Sequence, residues 1–296
     1  MGKKRLIKRA ELFAGRNALK FFSILFRALP WNLAYSIGRG AGSAAYRLSK
    51  KRRRIAHQNL TLAFPHLSTQ DRSAIARRLF KNLGMGIVDF FKMPSLSDDP
   101  FWRRVEFCGQ EAIDEALAEG RGLLFVTGHF GAWEIMGSAM ARLGYDFSVV
   151  ARDTNDEETT DLVNQTREKA GMSVHARGNA ARFILSKLKA NKVIGIVPDQ
   201  NAGDAFITFF GHPVGTVVGP AVMSLRTGAA IVTAFAIRKP DGSIRVEAER
   251  MVLGADERAI MQSIHDAIER YARAYPDQYL WIHDRWKSAR QAGMLG

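Results

Sequence analysis

LLFVTGHFGAWE, residues 123–134, decides how the rest of the chain reads. Four apolar residues of strand length run into a segment carrying two glycines and then into a helical pattern, and an unbroken apolar run of this kind fits a strand covered on both faces. Outward from it the same texture recurs. FSVV at 147–150, VIGIV at 193–197 and AIVTAFAI at 230–237 alternate with helical patterns near 130–143, 156–170, 179–190 and 219–227. That rhythm predicts an α/β fold, a central largely parallel or mixed sheet with helices on both faces, whose ligands sit at the carboxyl ends of strands. Pro240, Asp241 and Gly242 predict a hairpin that adds antiparallel strands, and a helix near 256–274 precedes an aromatic tail. Upstream, Ile75, Leu79, Phe80, Leu83 and Ile87 mark a helix to about Phe91, with Ser68 as N-cap and Asp71 completing an imperfect capping box.

The chain has 296 residues, 47% of them apolar and 24% charged, which excludes a disordered chain. Its one cysteine, Cys108, rules out an internal disulfide and a Cys-rich zinc site. The formal net charge of +14 is all N-terminal: residues 1–54 carry 15 Lys or Arg against the single acid Glu11, and residues 55–296 balance. The expected organisation is therefore a basic amphipathic membrane-anchoring segment, 1–54, followed by a single α/β domain, 55–296. Between Ala18 and Leu48 the apolar sequence is broken by Lys20, Arg27, Pro30, Arg39 and Arg47, leaving Ala28 to Gly38 as the longest uncharged run. This is too short for a transmembrane helix, and Arg27 and Pro30 fall where a secretory signal needs an unbroken apolar region, which argues against one although Gly42 to Ala45 resemble a cleavage region. An interfacial anchor fits better. Phe21, Phe22, Leu25 and Phe26 form an apolar stripe, the basic side chains meet anionic lipid, and Trp31 and Tyr35 suit the headgroup boundary. Ordinary packing of these helices on the body is the competing reading, and the basic run Lys50 to Arg54 does not by itself mean nucleic acid.

The chemistry concentrates at His129 and Glu134. Five positions apart on one regular helix they diverge by about 140°, so they meet only at a bend. Gly128 and Gly131 permit one, with His129 before the helix and Glu134 in its first turns, and the carboxylate is expected to reach one ring nitrogen. Such a pair fixes the tautomer, raises the imidazole's basicity and leaves the other nitrogen to take a proton from a hydroxyl. The absence of H-E-x-x-H excludes a zincin, and no metal or other cofactor is implied.

The sequence resembles the bacterial lipid A secondary acyltransferases, the lauroyl and myristoyl transferases, and their relatives that acylate phosphatidylinositol mannosides. The motifs behind the resemblance are RRRIAHQNLTLAFPHLS at 52–68, FKNLGMG at 80–86, TGHFGAWE at 127–134, the helix with Asn164 and Arg167, VPDQNAG at 197–203, FFGHPVGT at 209–216 followed by Gly219 and Pro220, and YPDQYLWIHDRWK at 275–287. It implies a glycerol-phosphate-acyltransferase-like fold and transfer of an acyl chain from acyl carrier protein, or acyl-CoA, to a glycolipid hydroxyl, most naturally of a lipid A precursor. The H-x4-D/E pair, His129 and Glu134, is then the catalytic dyad. Arg167 and Asp199 fall on further motif positions associated with activity.

Developing charge on the thioester oxygen calls for an Arg or turn amides, and Arg152 is a further candidate for an anionic headgroup. With Arg167, Asp199 and Asn164, Arg152 makes up the candidate substrate- or oxyanion-binding set; the competing readings are structural ion pairs for Arg167 and Asp199 and a cap or solvent-facing position for Asn164, and His212 reads as a turn residue. Position 132 departs from the family in being Ala where Asn is more frequent. The implied partners are acyl carrier protein, a glycolipid acceptor and an anionic membrane surface, with no nucleic acid, at the cytoplasmic face of the inner membrane. The rival readings are a hydrolase using a His-activated water, weakened by the lack of G-x-S-x-G, and a non-enzymatic membrane or nucleic-acid binding module, which leaves the neutral body unexplained.

Overall fold

A computed structural model describes residues 17, 19–98, 100–151, 156–176, 178 and 180–295. A helical stretch at 19–28 leads into α1 (Trp31–Leu48), α2 (Lys50–Ala63) and α3 (Thr69–Lys92). The body then runs β1 (Val105–Cys108), α4 (Gln110–Ala118), β2 (Leu123–Val126), α5 (Trp133–Arg142), β3 (Phe147–Ala151), α6 (Glu157–Lys169), β4 (Ser173–Ala176), α7 (Ala180–Lys189) and β5 (Val193–Ile196). It continues through β6 (Ala205–Phe209), β7 (His212–Thr216), α8 (Gly219–Thr227), β8 (Ala230–Arg238), β9 (Ile244–Arg250), α9 (Glu257–Ala274) and α10 (Lys287–Gln291).

Seven strands form one sheet in the order β1-β9-β8-β2-β5-β3-β4, parallel throughout except where β8 meets β9. The four apolar runs read from the sequence are β2, β3, β5 and β8, and the Pro240–Gly242 turn joins β8 to β9 as expected. The sheet separates two apolar cores. On one side Leu124, Val126, Ile194, Ile231 and Phe235 pack with α2, α7, α8 and α9; on the other Leu123, Phe125, Val232 and Ala234 pack with α1, α4 and α5. That division follows from alternation along each strand, which sends Leu123 and Leu124 to opposite faces.

Helix α3 begins as its sequence predicts: Ser68 Oγ accepts from the Asp71 amide at 3.0 Å. Helix α1 crosses it backbone to backbone, since a Cβ on Gly42 would lie 2.0 Å from the Phe80 carbonyl and one on Gly84 2.0 Å from that of Gly38. This close crossing carries a buried charge cluster. Tyr35 Oη donates to Asp89 at 2.6 Å, Arg238 Nη1 donates to Tyr35 Oη at 2.9 Å, and Arg238 Nη2 donates to the same carboxylate. Burial pushes the Asp89 carboxyl upward against the pull of the Arg238 guanidinium.

Three expectations change. Trp31 and Tyr35 do not sit at a surface boundary: both are buried, Trp31 stacked on Phe101 at 3.8 Å between ring centres and Tyr35 inside the charge cluster. Phe26 is also buried, while Phe21, Phe22 and Ile24 stay exposed. His212 is not a turn residue but opens β7, paired with Phe209 across a hairpin whose turn is Phe210–Gly211. Phe210, at a φ of +52°, takes a left-handed conformation unusual for an aromatic residue, so Gly211 at φ +76° is the turn's one sequence signal. Among the described residues no helix is long and apolar enough to cross a membrane.

Candidate active site

Strands β2 and β5 are parallel neighbours with Val126 opposite Ile196. The ladder runs one step further, the Thr127 amide donating to Ile196 at 3.0 Å. Three residues beyond Val126 is His129, and three beyond Ile196 is Asp199, so equal register delivers both to the carboxyl edge of the sheet. There His129 Nδ1–H donates to Asp199 Oδ1 at 2.6 Å, and the His129 backbone N–H donates to Oδ2 at 2.8 Å. The carboxylate thus holds both the ring and the backbone beneath it.

The turn that follows His129 is clamped on two sides. Gly131 N–H donates to Gln278 O and Ala132 N–H to Ala236 O, each at 2.9 Å, while Leu280 N–H donates to His129 O at 3.1 Å. Gly131 has φ +56°, and a Cβ there would lie 1.9 Å from the Ala236 carbonyl, so both the turn and the close approach to β8 require glycine. The tail is itself anchored: Asn59 of α2 donates through Nδ2 to the Trp281 and His283 carbonyls at 2.7 and 2.6 Å. The backbone N–H groups of residues 129 to 132 all donate within this framework, so these turn amides are not free to meet an oxyanion.

Glu134 stands in the first turn of α5 as expected, yet it does not reach the imidazole. It accepts a two-point pair from Arg167 in the last turn of α6, Nη2 to Oε1 at 2.7 Å and Nε to Oε2 at 3.2 Å. The expected His129–Glu134 hydrogen bond is replaced by His129–Asp199 because the β2–β5 register puts the Asp199 carboxylate directly under Nδ1, whereas α5 turns the Glu134 side chain toward α6. His129, Asp199, Glu134 and Arg167 nevertheless belong to one electrostatic cluster. Burial pushes the His129 pKa down, but the Asp199 charge, helped by Glu134 and opposed by Arg167, more than offsets it and raises the ring above its ordinary value. Burial likewise pushes Asp199 up, and the facing His129 overcomes this to hold the carboxyl at about 2.

The ring keeps an outlet. Asp199 is 2% exposed and His129 20%, so the imidazole bridges a sealed carboxylate and an open surface. With Nδ1–H committed to Asp199, Nε2 carries the lone pair. Gln200 faces it, with its carboxamide nitrogen 3.4 Å from Nε2, and the Trp133 ring lies edge-on at 5.5 Å. Asn164 is half-buried one turn before Arg167 on α6. Arg152 lies outside the described residues. Sequence reasoning missed Gln200 and the part played by His283, whose Nε2 accepts from the Asn201 amide at 2.9 Å and whose pKa burial lowers. VPDQNAG and the aromatic tail were the available signals. Among the described residues no cluster of three or more metal-ligating side chains occurs.

A sequence model described as bacterial lipid A biosynthesis acyltransferase matches residues 10–288. The chain is 28% identical over 271 residues to a lipid A biosynthesis palmitoleoyltransferase of Escherichia coli K12, covering 89% of this chain and 88% of that one. It is 28% identical over 269 residues to the lipid A biosynthesis lauroyltransferase of the same strain, covering 88% and 87%. A phosphatidylinositol mannoside acyltransferase of Mycobacterium tuberculosis is 23% identical over 207 residues, covering 67% and 66%.

Proposed function

The chain belongs to the family of bacterial lipid A biosynthesis acyltransferases, and on that premise we propose that it moves an acyl group from a thioester, carried by acyl carrier protein or CoA, to a hydroxyl of a lipid A precursor, with His129 as general base. The observation that carries this reading is the His129–Asp199 pair, which presents Nε2 outward at the carboxyl edge of a parallel sheet. The acceptor hydroxyl gives its proton to Nε2 while its oxygen attacks the thioester carbonyl carbon. The C–S bond then breaks, and the imidazolium returns the proton to the departing thiolate. Asp199 fixes the productive tautomer and stabilises the imidazolium.

Direct attack without an acyl-enzyme is favoured by position: Cys108 is on edge strand β1, three strands away from β2. Glu134 and Arg167 shape the electrostatics rather than carry the proton. Their two-point pair leaves Arg167 a charge beside the ring, suited to developing negative charge or to an anionic part of the acceptor.

The domain division at residue 54 remains the organising proposal, although α1 and α2 are docked on the body. An anionic membrane surface at the cytoplasmic face of the inner membrane is the proposed setting. It is supported by exposed Phe21, Phe22, Ile24, Leu33, Ile37 and Ile87 beside exposed Lys20, Arg27 and Arg39. The test is His129→Ala, incubated with a labelled acyl thioester and lipid A precursor: a fall of about 10²–10⁴-fold in ester formation, with circular dichroism unchanged, is expected. A folded variant that transfers at the parental rate overturns the assignment.

A further inference from the structure

His129 Nε2 is the atom on which the proposed reaction turns, and the polar group that faces it is the Gln200 carboxamide at 3.4 Å. Because Nδ1–H is spent on Asp199, only the N–H side of the amide can meet the Nε2 lone pair. The bond is long, hence weak and easily exchanged. The backbone on either side of Gln200 is fixed. Asp199 takes two hydrogen bonds from His129, while Asn201 donates its amide to His283 and exchanges side-chain bonds with Ser288, Nδ2 to Oγ at 2.8 Å and the Ser288 amide to Oδ1 at 2.9 Å. Gln200 itself is exposed, so its side chain alone is free to swing.

An oxygen that gives its proton to Nε2 must approach to about 2.6–3.2 Å, and it cannot share the lone pair with an amide already there. Whatever oxygen reacts therefore displaces Gln200 and ends in contact with it. Water gains at Nε2 little more than the amide already supplies. A glycolipid brings binding energy from the remainder of its structure to the exchange.

We propose that Gln200 is a specificity-determining residue: its carboxamide caps the base until an acceptor hydroxyl displaces it, directing the acyl group to the acceptor rather than to water. The proposal rests on His129 being the base. Both outcomes balance with the same steps. A hydroxyl loses its proton to Nε2, its oxygen bonds to the carbonyl carbon, the C–S bond breaks and the thiolate takes the proton. The products are ester and thiol with the acceptor, or carboxylic acid and thiol with water.

The test measures ester and free acid together, using a labelled lauroyl thioester with and without detergent-dispersed lipid A precursor. In Gln200→Ala the ester-to-acid ratio falls about two- to fivefold, the weight of one weak net hydrogen bond, with the melting temperature unchanged because the side chain is exposed. Gln200→Asn, too short to reach Nε2, behaves like the alanine variant. Gln200→Glu moves the acid limb of the pH profile upward, because its carboxylate joins Asp199 and Glu134 in favouring the imidazolium against Arg167 and burial. An unchanged ratio in Gln200→Ala, or an equal fall of both products, overturns the proposal. His129→Ala run in parallel separates the two layers: loss of both products supports the base, whereas persistent ester formation overturns the base itself, independently of Gln200.

Discussion

Two clusters of opposite charge lie at the carboxyl ends of neighbouring strands, His129 with Asp199 after β2 and β5, and Arg238 with Asp89 and Tyr35 at the end of β8. They differ in one respect that determines their use. In the second cluster Arg238 and Asp89 are 3% and 2% exposed, so both charges are sealed against each other. In the first, Asp199 is just as deeply buried, yet it holds a ring whose far nitrogen faces outward. A carboxylate under an imidazole leaves a usable site for a proton; a carboxylate under a guanidinium leaves none, because Arg stays charged across the working range. The sealed cluster ties α1 and α3 to the sheet. The half-open one is equipped for reaction.

The contrast breaks most visibly at Asp89. Asp89→Ala leaves Arg238 charged and buried, and a loss of about 3–5 kcal/mol of stability is expected in urea titration. Transfer per folded molecule should hardly change, and a variant that keeps its stability but loses activity erases the distinction. Asp199→Asn is next, with the weight moved from stability to activity: a loss of about 2 kcal/mol, because a carboxyl held at about 2 stabilises the fold at neutral pH, but a fall of about 10²-fold in kcat. The sign of its pH effect follows from the causes. Asp199 holds the His129 pKa above the ordinary value against burial, so without it burial prevails and the acid limb of the activity profile moves to lower pH. An acid limb that stays in place assigns the titration to another group.

Glu134→Gln is smaller. Glu134 also raises the His129 pKa, and removing its charge leaves Arg167, which lowers it, without its own counter-ion while Asp199 still pulls upward. The acid limb should shift down by less than in Asp199→Asn, with about a tenfold fall in kcat/KM from the disturbed pair. A larger effect at Glu134 than at Asp199 would reverse their order of importance. Smallest is the exposed N-terminal face. Phe21→Ser with Ile24→Ser should weaken sedimentation with anionic vesicles by about tenfold through lost apolar burial, leaving transfer to detergent-dispersed acceptor near the parental rate.

Much of this was legible beforehand. The apolar runs at 123–126, 147–150, 193–197 and 230–237 are long enough to be strands and too uniformly apolar to face solvent, so the parallel sheet followed. Gly128 and Gly131 marked the bend, and His129 at its crest followed from strand length alone. Short strands were harder. Ser173–Ala176 and Val105–Cys108 have no distinctive pattern, and the β6–β7 hairpin turns through a left-handed phenylalanine. Trp31 and Tyr35 look in sequence like interfacial aromatics; they are buried because Gly38, Gly42 and Gly84 let α1 approach α3 closely enough to enclose them.

By itself, the order of residues determined which segments become strands and helices and which imidazole emerges at a strand end, because periodicity and glycine act locally. Tertiary structure alone decided that the carboxylate beneath that imidazole comes from 70 positions away in the chain rather than five. Partner choice in a parallel sheet depends on which strands lie side by side and in what register. Those are settled by packing across the whole core, and spacing along the chain does not contain them.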